Sequence, residues 1–352
     1  MHTLWRYHLQ ARRFLSRVWL RSACQANFHR SLPGLNRRLK KYMSSLYESL
    51  RESLLKLGAG NPLLRTALRV QARASGFEVA ASKDQLTLSK GTRCMLLPVS
   101  HYPIVPSVVH MWDQIFDTVM PEIKGQMEVL DFSKPGLHQY KASGVSLWSP
   151  GLVEEDSMDA YTSAYQPQPG DVIWDVGAHA GATSYFFAKM VGPTGRVYAF
   201  EPDECTHEFL LRNIELHQLK NVIPVKKALA KDSGKAWFSM DGTLGAGLAG
   251  YTQCEDKQKV REVETLSFED ACRDFEVPRF VKMDVEGAEV AVLSGALGLL
   301  KEKPIRFAIE TEHRVHREYT SVPITRMLSE IGYEVWSSPF AGQQFTWARP
   351  AA

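Results

Sequence analysis

From Asp171 onward, short apolar runs alternate regularly with stretches of helical periodicity, and few folds accommodate that texture. Val172–Val176, Arg196–Phe200, residues 222–230, Phe280–Met283 and residues 306–309 read as strands. Residues 183–190, Glu204–Leu216 and an almost wholly apolar run over 288–300 carry the helical pattern, and a further helix is expected over 324–331. Strands that are apolar on both faces belong to a sheet covered on both sides. Repeated β–α units then dictate a mostly parallel sheet with right-handed crossovers, an α/β Rossmann-like architecture. The last two runs, 333–337 and 344–347, are close enough only for a hairpin, so one edge strand is expected to run antiparallel.

The first half of the chain has a different texture. Ten Lys or Arg and no Asp or Glu lie between Met1 and Tyr47, whereas residues 48–352 carry a formal charge of −7. Phosphate contacts need clustered cations, so the acidic body argues against a nucleic-acid surface. The basic head, with Trp5, Leu9, Leu15, Val18 and Trp19 at helical spacing, has three readings: a membrane-surface or partner-binding helix, a transit peptide, or a solvated extension. Further helices are expected over 39–57, 63–74 and 106–119. A hairpin is expected over 77–88, and strands over 127–132 and 138–147. These features divide the chain into a basic helical extension (1–75), a mixed α/β cover with a small β-hairpin region (76–165) and an α/β domain (166–352).

Five scattered cysteines form no C-x-x-C pair, which favours a reducing compartment over a disulfide scaffold. No run is long and apolar enough for a spanning helix. The cytoplasm is therefore the expected location, with an organelle or a membrane surface left open by the head.

The informative stretch is Val172-Ile-Trp-Asp175-Val-Gly177-Ala-His179-Ala-Gly181, between a strand and a helix. Its two glycines let the backbone turn tightly beside a ligand. Twenty residues after Gly181, at the end of the next strand, stand Glu201 and Pro202. A carboxylate there can accept both hydroxyls of a ribose. A dinucleotide fingerprint needs G-x-G-x-x-G, but the spacing here is G-x-x-x-G with His179 in between, and no Walker lysine follows. A ribose acid without a diphosphate cradle fits S-adenosylmethionine, and a nicotinamide cofactor is disfavoured.

These residues, together with Ala199-Phe-Glu201-Pro, Lys282-Met-Asp284-Val-Glu286-Gly-Ala-Glu289 and Leu293-Ser-Gly-Ala296, are similar to the FkbM family of class I S-adenosylmethionine-dependent methyltransferases. The resemblance covers roughly residues 166–312. It implies that Asp175 and Gly177, with His179 and Gly181, shape the methionine pocket, and that Glu201 holds the ribose beside Pro202. Ala228 would lie near the adenine, and Asp284 and Glu286 would line the floor where donor meets acceptor. His179 stands where the family commonly has asparagine, and Met283 where it has isoleucine. The resemblance also implies an oxygen acceptor on a small molecule or saccharide.

Methyl transfer to a hydroxyl needs alignment and removal of a proton. Asp284, Glu286 and His313 are the expected catalytic residues, with Glu289, Glu310 and Glu312 nearby in sequence. Glu289 also reads as a helix N-terminal charge, and His313 and His316 as loop residues. No H-x-x-x-H, D-x-D or cysteine cluster gives metal-ligand spacing, so no metal is expected. The glycine-dense run 241–250 reads as a hairpin loop or an acceptor-binding lid. Trp148, Tyr161 and Tyr165 read as core aromatics or as a wall of the acceptor pocket. The rival to an enzyme is a non-catalytic module of the same fold that docks a partner through the basic head. Oligomeric state is not legible.

Overall fold

The computed structural model describes residues 60–152, 158–239, 247–248, 260–315, 318–340 and 343–351. The expected head helices, the 39–57 helix, His316 and all of the 241–250 loop except Gly247–Leu248 lie outside the described residues. The chain forms two compact units that meet at Val145 and Ser146, ahead of the division at 166 read from composition.

In the first unit the helix Pro62–Ala74 precedes strands β1 (Glu78–Ala81), β2 (Gln85–Lys90) and β3 (Arg93–Pro98). Strands β4 (Glu122–Lys124) and β5 (Met127–Asp131) complete a sheet of order β1-β2-β3-β5-β4, and β6 spans Gly136–Gln139. The expected hairpin is β1–β2, with Val79 opposite Leu88. The 106–119 stretch is two helices, Val105–His110 and Trp112–Thr118, broken at Met111.

The second unit begins with β7 (Ser146–Ser149) and a short helix, Met158–Thr162. Then come β8 (Val172–Val176), β9 (Arg196–Phe200) and β10 (Val222–Val225), separated by helices Ala182–Val191 and Glu204–Leu216. Strands β11 (Ala228–Ala230), β12 (Gly234–Ser239), β13 (Gly247–Leu248) and β14 (Val260–Ser267) form a separate sheet of order β11-β14-β12-β13. β15 (Phe280–Met283) and β16 (Arg306–Glu310) resume the main sheet. The short β17 (Arg314–Val315) and β18 (Glu318–Tyr319) pair with each other, and β19 (Tyr333–Phe340) and β20 (Gln343–Pro350) end the chain. The main sheet has the order β10-β9-β8-β15-β16-β20-β19.

Alternation along the central strands explains their two-sided apolar character. Trp174, Val176, Phe200, Val281 and Met283 face one layer with Phe268, Val292 and Ile324. Ile173, Val197, Ala199 and Phe280 face the other, with Phe187 and Leu210.

Three expectations need correction. The apolar run 222–230 is two strands, β10 in the main sheet and β11 in the small one, because the chain changes sheet at Lys226–Lys227. The 288–300 helix is two, Glu289–Ser294 and Leu297–Leu300, with Gly295 and Ala296 between them. The antiparallel strand is β20, which inserts between β16 and β19 instead of lying at the edge.

Candidate functional site

The site lies at the carboxyl ends of β8, β9, β15 and β16, where α/β sheets bind their ligands. Asp175, near the end of β8, is fully buried. Its Oδ2 accepts from Thr183 Oγ1 at 2.7 Å and Ser184 Oγ at 2.5 Å, while Oδ1 lies 3.3 Å from Lys282 Nζ. Lys282, only 3% exposed, also donates to the carbonyl of Gly177 at 2.6 Å. Asp175 therefore fastens β8 to the following helix and to β15, shaping the cleft from behind without lining it.

Gly177 and Ala178 both donate to the Phe200 carbonyl at 3.0 Å, which folds the loop over the end of β9. Gly177 has φ +80°, and a Cβ there would meet Asp284 O at 1.8 Å, so only glycine lets β8 and β15 approach this closely. Gly181, with φ +86°, abuts Leu210 Cδ1 at the head of the helix and stands off the cleft wall.

Glu201 ends β9 and is buried. Its Oε2 accepts from His179 N at 2.8 Å and its Oε1 from Asp203 N at 2.9 Å. Burial pushes its carboxyl above the ordinary range, against the pull of the His179 charge and of these amides. These two amides and the Thr206 hydroxyl use three of the roughly four acceptor sites of a carboxylate and leave one for a ligand. Asp203 also caps the helix Glu204–Leu216, accepting from Cys205 N at 2.7 Å.

Gly177, His179, Glu201, Pro202, Ala228, Asp284 and Glu286 line one cleft of about 650 Å³. Thus the structure gathers every residue expected at the cofactor except Asp175 and Gly181, which lie just behind it. Sequence reasoning missed the apolar end of the cleft. Leu229, Phe238, Leu248 and Val285 form it with Ala228, largely from the small second sheet. The ammonium in the lining, Lys227, is paired with Glu264 at 3.2 Å.

The other end of the cleft is rich in carboxyl groups. Asp284 follows β15, and its amide donates to Val176 O at 3.0 Å. Glu286 (φ +55°) and Gly287 (φ +101°) turn the chain sharply, bringing Glu286 to the cleft. Glu289 starts the next helix, fully buried, and its Oε1 accepts from Gly287 N at 3.0 Å and Val285 N at 3.3 Å. His313, from the loop after β16, stands between two carboxylates. Its Nε2 is 3.1 Å from Glu286 Oε2 and its Nδ1 is 3.1 Å from Glu289 Oε1.

Burial opposes a charge on His313, yet the contacts with Glu286 and Glu289 outweigh it and push the imidazole up to about 12. Burial raises Glu286 to about 7, partly offset by His313. Glu310, whose Oε2 accepts from Tyr161 OH at 3.3 Å and Oε1 from Gln343 Nε2 at 3.1 Å, is pushed up to about 9 by burial and by the Asp284 charge. Burial also raises Glu312.

Of the aromatics expected near an acceptor, Tyr161 reaches this rim through Glu310, while Tyr165 bonds Asp171 at the opposite end of β8 and stands away from the cleft. Trp148 is bound through its backbone to Asn213, at 2.7 and 2.8 Å.

A doubly covered sheet with a cleft beyond its switch point defines a Rossmann-like α/β domain. Residues 175–335 match the family model described as the methyltransferase FkbM domain. Over 167 residues the chain is 29% identical to the hexuronic acid methyltransferase AglP of Haloferax volcanii, covering 47% of this chain and 64% of that protein. It is 34% identical over 82 residues to a protein-L-isoaspartate O-methyltransferase of Aeropyrum pernix, covering 23% and 30% of the two chains. A crystal structure of a methyltransferase FkbM from Methylobacillus flagellatus aligns over 51% of this chain and 43% of that one, with 15% identity and a TM-score of 0.38. The chain thus spans less than two thirds of the length of the two curated relatives it matches.

Proposed function

We propose that the chain is an S-adenosylmethionine-dependent methyltransferase that methylates a hydroxyl group of a saccharide or related small molecule. The observation that carries this reading is the pair of oppositely equipped ends of one cleft. Glu201, steadied on two backbone amides, offers an acceptor for a ribose beside an apolar slot, and Asp284 opens the other end onto the carboxyl-rich rim.

The residues fit the cofactor. Glu201 would take a ribose hydroxyl, Ala228 with Phe238 and Leu248 the adenine, and Gly177 with Asp284 the methionine portion. When bound, S-adenosylmethionine supplies a methyl group on a sulfonium, which leaves as a neutral thioether. The protein's part is to hold an acceptor oxygen in line, a contribution of roughly 7–11 kcal/mol at best, and to receive its proton. The rim of Asp284, Glu286 and His313 serves the second task. While both ring nitrogens of His313 keep their protons between Glu286 and Glu289, a carboxylate of the rim, not the imidazole, accepts the proton.

The saccharide acceptor is supported by the relative named for hexuronic acid. The scattered cysteines favour a reducing compartment. Among the described residues no helix is long and apolar enough to cross a membrane.

Calorimetric titration with S-adenosylmethionine tests the donor half. Binding is expected, and Glu201→Gln should weaken it by about 1.5–3 kcal/mol, the loss of a hydrogen bond to a charged acceptor. Wild-type protein that folds but gives no heat on titration would overturn the reading. Incubation with labelled donor and a panel of uronic-acid glycans, read by mass, tests the acceptor.

A further inference from the structure

Two helices and a strand separate His313 in sequence from Asp284 and Glu286, yet one potential ligand atom from each of the three lies within 4.8 Å of the other two. We propose that these three side chains form a binding site for one divalent first-row metal cation at the acceptor end of the cleft.

Three independent features point to a cation. First, the rim holds an excess of buried acceptor charge. Asp284 Oδ1 and Glu289 Oε2 are buried and accept no hydrogen bond among the described residues. A buried carboxylate oxygen without a donor is costly, and a cation at the cluster would supply the missing partner for Asp284. Lys282, on β15, is engaged with Asp175 and the Gly177 carbonyl.

Second, His313 is placed as metal-binding histidines are. One ring nitrogen, Nε2, faces the cluster beside Glu286, and the other, Nδ1, faces the fully buried carboxylate of Glu289 at 3.1 Å. Nδ1 makes no aligned hydrogen bond to that carboxylate, so Glu289 acts on the ring through its charge, which raises the basicity of the imidazole toward a metal once a cation displaces the proton at Nε2. Glu289 is itself held by the amides of Gly287 and Val285, so this support is rigid.

Third, the backbone is bent to deliver these groups. Glu286 adopts φ +55°, an uncommon conformation for a residue with a side chain, and it turns its carboxylate into the cluster. Two carboxylates and one imidazole make a mixed oxygen–nitrogen donor set, suited to Mn²⁺, Fe²⁺ or Zn²⁺. Three protein ligands leave positions open for an exogenous oxygen. That the cation would bind and polarise an acceptor hydroxyl rests on the methyltransferase reading above; its binding does not.

The test uses Mn²⁺ as probe with the full chain. Loss of the free Mn²⁺ electron paramagnetic resonance signal should show one bound ion per chain. Asp284→Asn and Glu286→Gln should each weaken it at least about tenfold, and Glu289→Gln, which touches no metal, about 10–100-fold by removing the charge that makes the imidazole more basic. Circular dichroism melts verify that each variant is folded. For any variant that is not, a Mn²⁺-dependent rise in the wild-type melting temperature replaces it as the readout. Absence of bound Mn²⁺ in folded wild-type protein, or equal affinity in the folded variants, overturns the site. S-adenosylmethionine titration run alongside keeps the two ideas apart: Mn²⁺ binding without cofactor binding upholds the cation site and sinks the methyltransferase reading.

Discussion

Lys282 sits in the middle of the main sheet, 3% exposed, with its ammonium 3.3 Å from a fully buried Asp175 and 2.6 Å from the Gly177 carbonyl. Substituting Lys282→Met keeps most of the side-chain volume and removes the charge. Asp175 then retains the Thr183 and Ser184 hydroxyls on Oδ2 but faces apolar surroundings on Oδ1. Breaking a buried pair from one side costs about 3–5 kcal/mol, chiefly through the uncompensated charge left behind. For a unit the size of residues 146–352, each kcal/mol moves the melting temperature by about 2–4 °C, so a fall of about 6–20 °C is expected. The double variant Asp175→Asn/Lys282→Met leaves no stranded charge, and its carboxamide oxygen can still accept from Thr183 or Ser184. It should regain at least half the loss, a coupling readable in a double-mutant cycle by thermal melts. A drop below about 2 °C in the single variant, or strictly additive losses in the double, would refute the view that this pair anchors the glycine loop.

Glu310 gives a pH signature. Its carboxyl is raised from 4.5 to about 9 by burial, so the folded state keeps a proton that the unfolded chain releases. Its stabilising contribution is complete below pH 4.5 and falls as pH rises toward 9. Glu310→Gln should therefore gain melting temperature relative to wild type across that window; parallel melting curves would exclude the effect. Gly177→Ala should abolish cofactor binding and destabilise by more than the roughly 1–3 kcal/mol of backbone strain, since its Cβ would meet the Asp284 carbonyl at 1.8 Å. Gly181→Ala meets the flexible end of Leu210 at 2.5 Å and should cost less. Calorimetry and melts on the two variants would expose an inverted order.

Much of the sheet was legible because its strands are short and nearly uniformly apolar, and Glu204–Leu216 is found at its expected bounds. What local pattern lacks is partner information. Residues 222–230 read as one strand because nothing in their alternation says that Val225 and Ala228 join different sheets. The helix Phe268–Asp274 has no counterpart in the sequence reading, although Ser267, whose Oγ accepts from Asp270 N, is a capping signal that was there to be found. At the site, Glu201 and Asp284 were legible because each ends an apolar strand. Lys282 was not: a lysine within a strand ordinarily points to water, and only the neighbouring strand supplies the acceptors that keep it inside. The Glu286–His313–Glu289 arrangement likewise depends on a turn and two loops meeting in space.

The position of β20 has a consequence for how the protein is made. The strand that lies against β16 is synthesised after every other strand of the sheet, and it carries Gln343 to Glu310 and Gln344 to the Thr311 amide. A nascent chain therefore exposes the β16 border, with its carboxyl-rich rim, until the final hairpin emerges from the ribosome. Chains stalled before residue 343 would present an unpaired border to their neighbours and would lack the Gln343 contact that holds Glu310 in the rim.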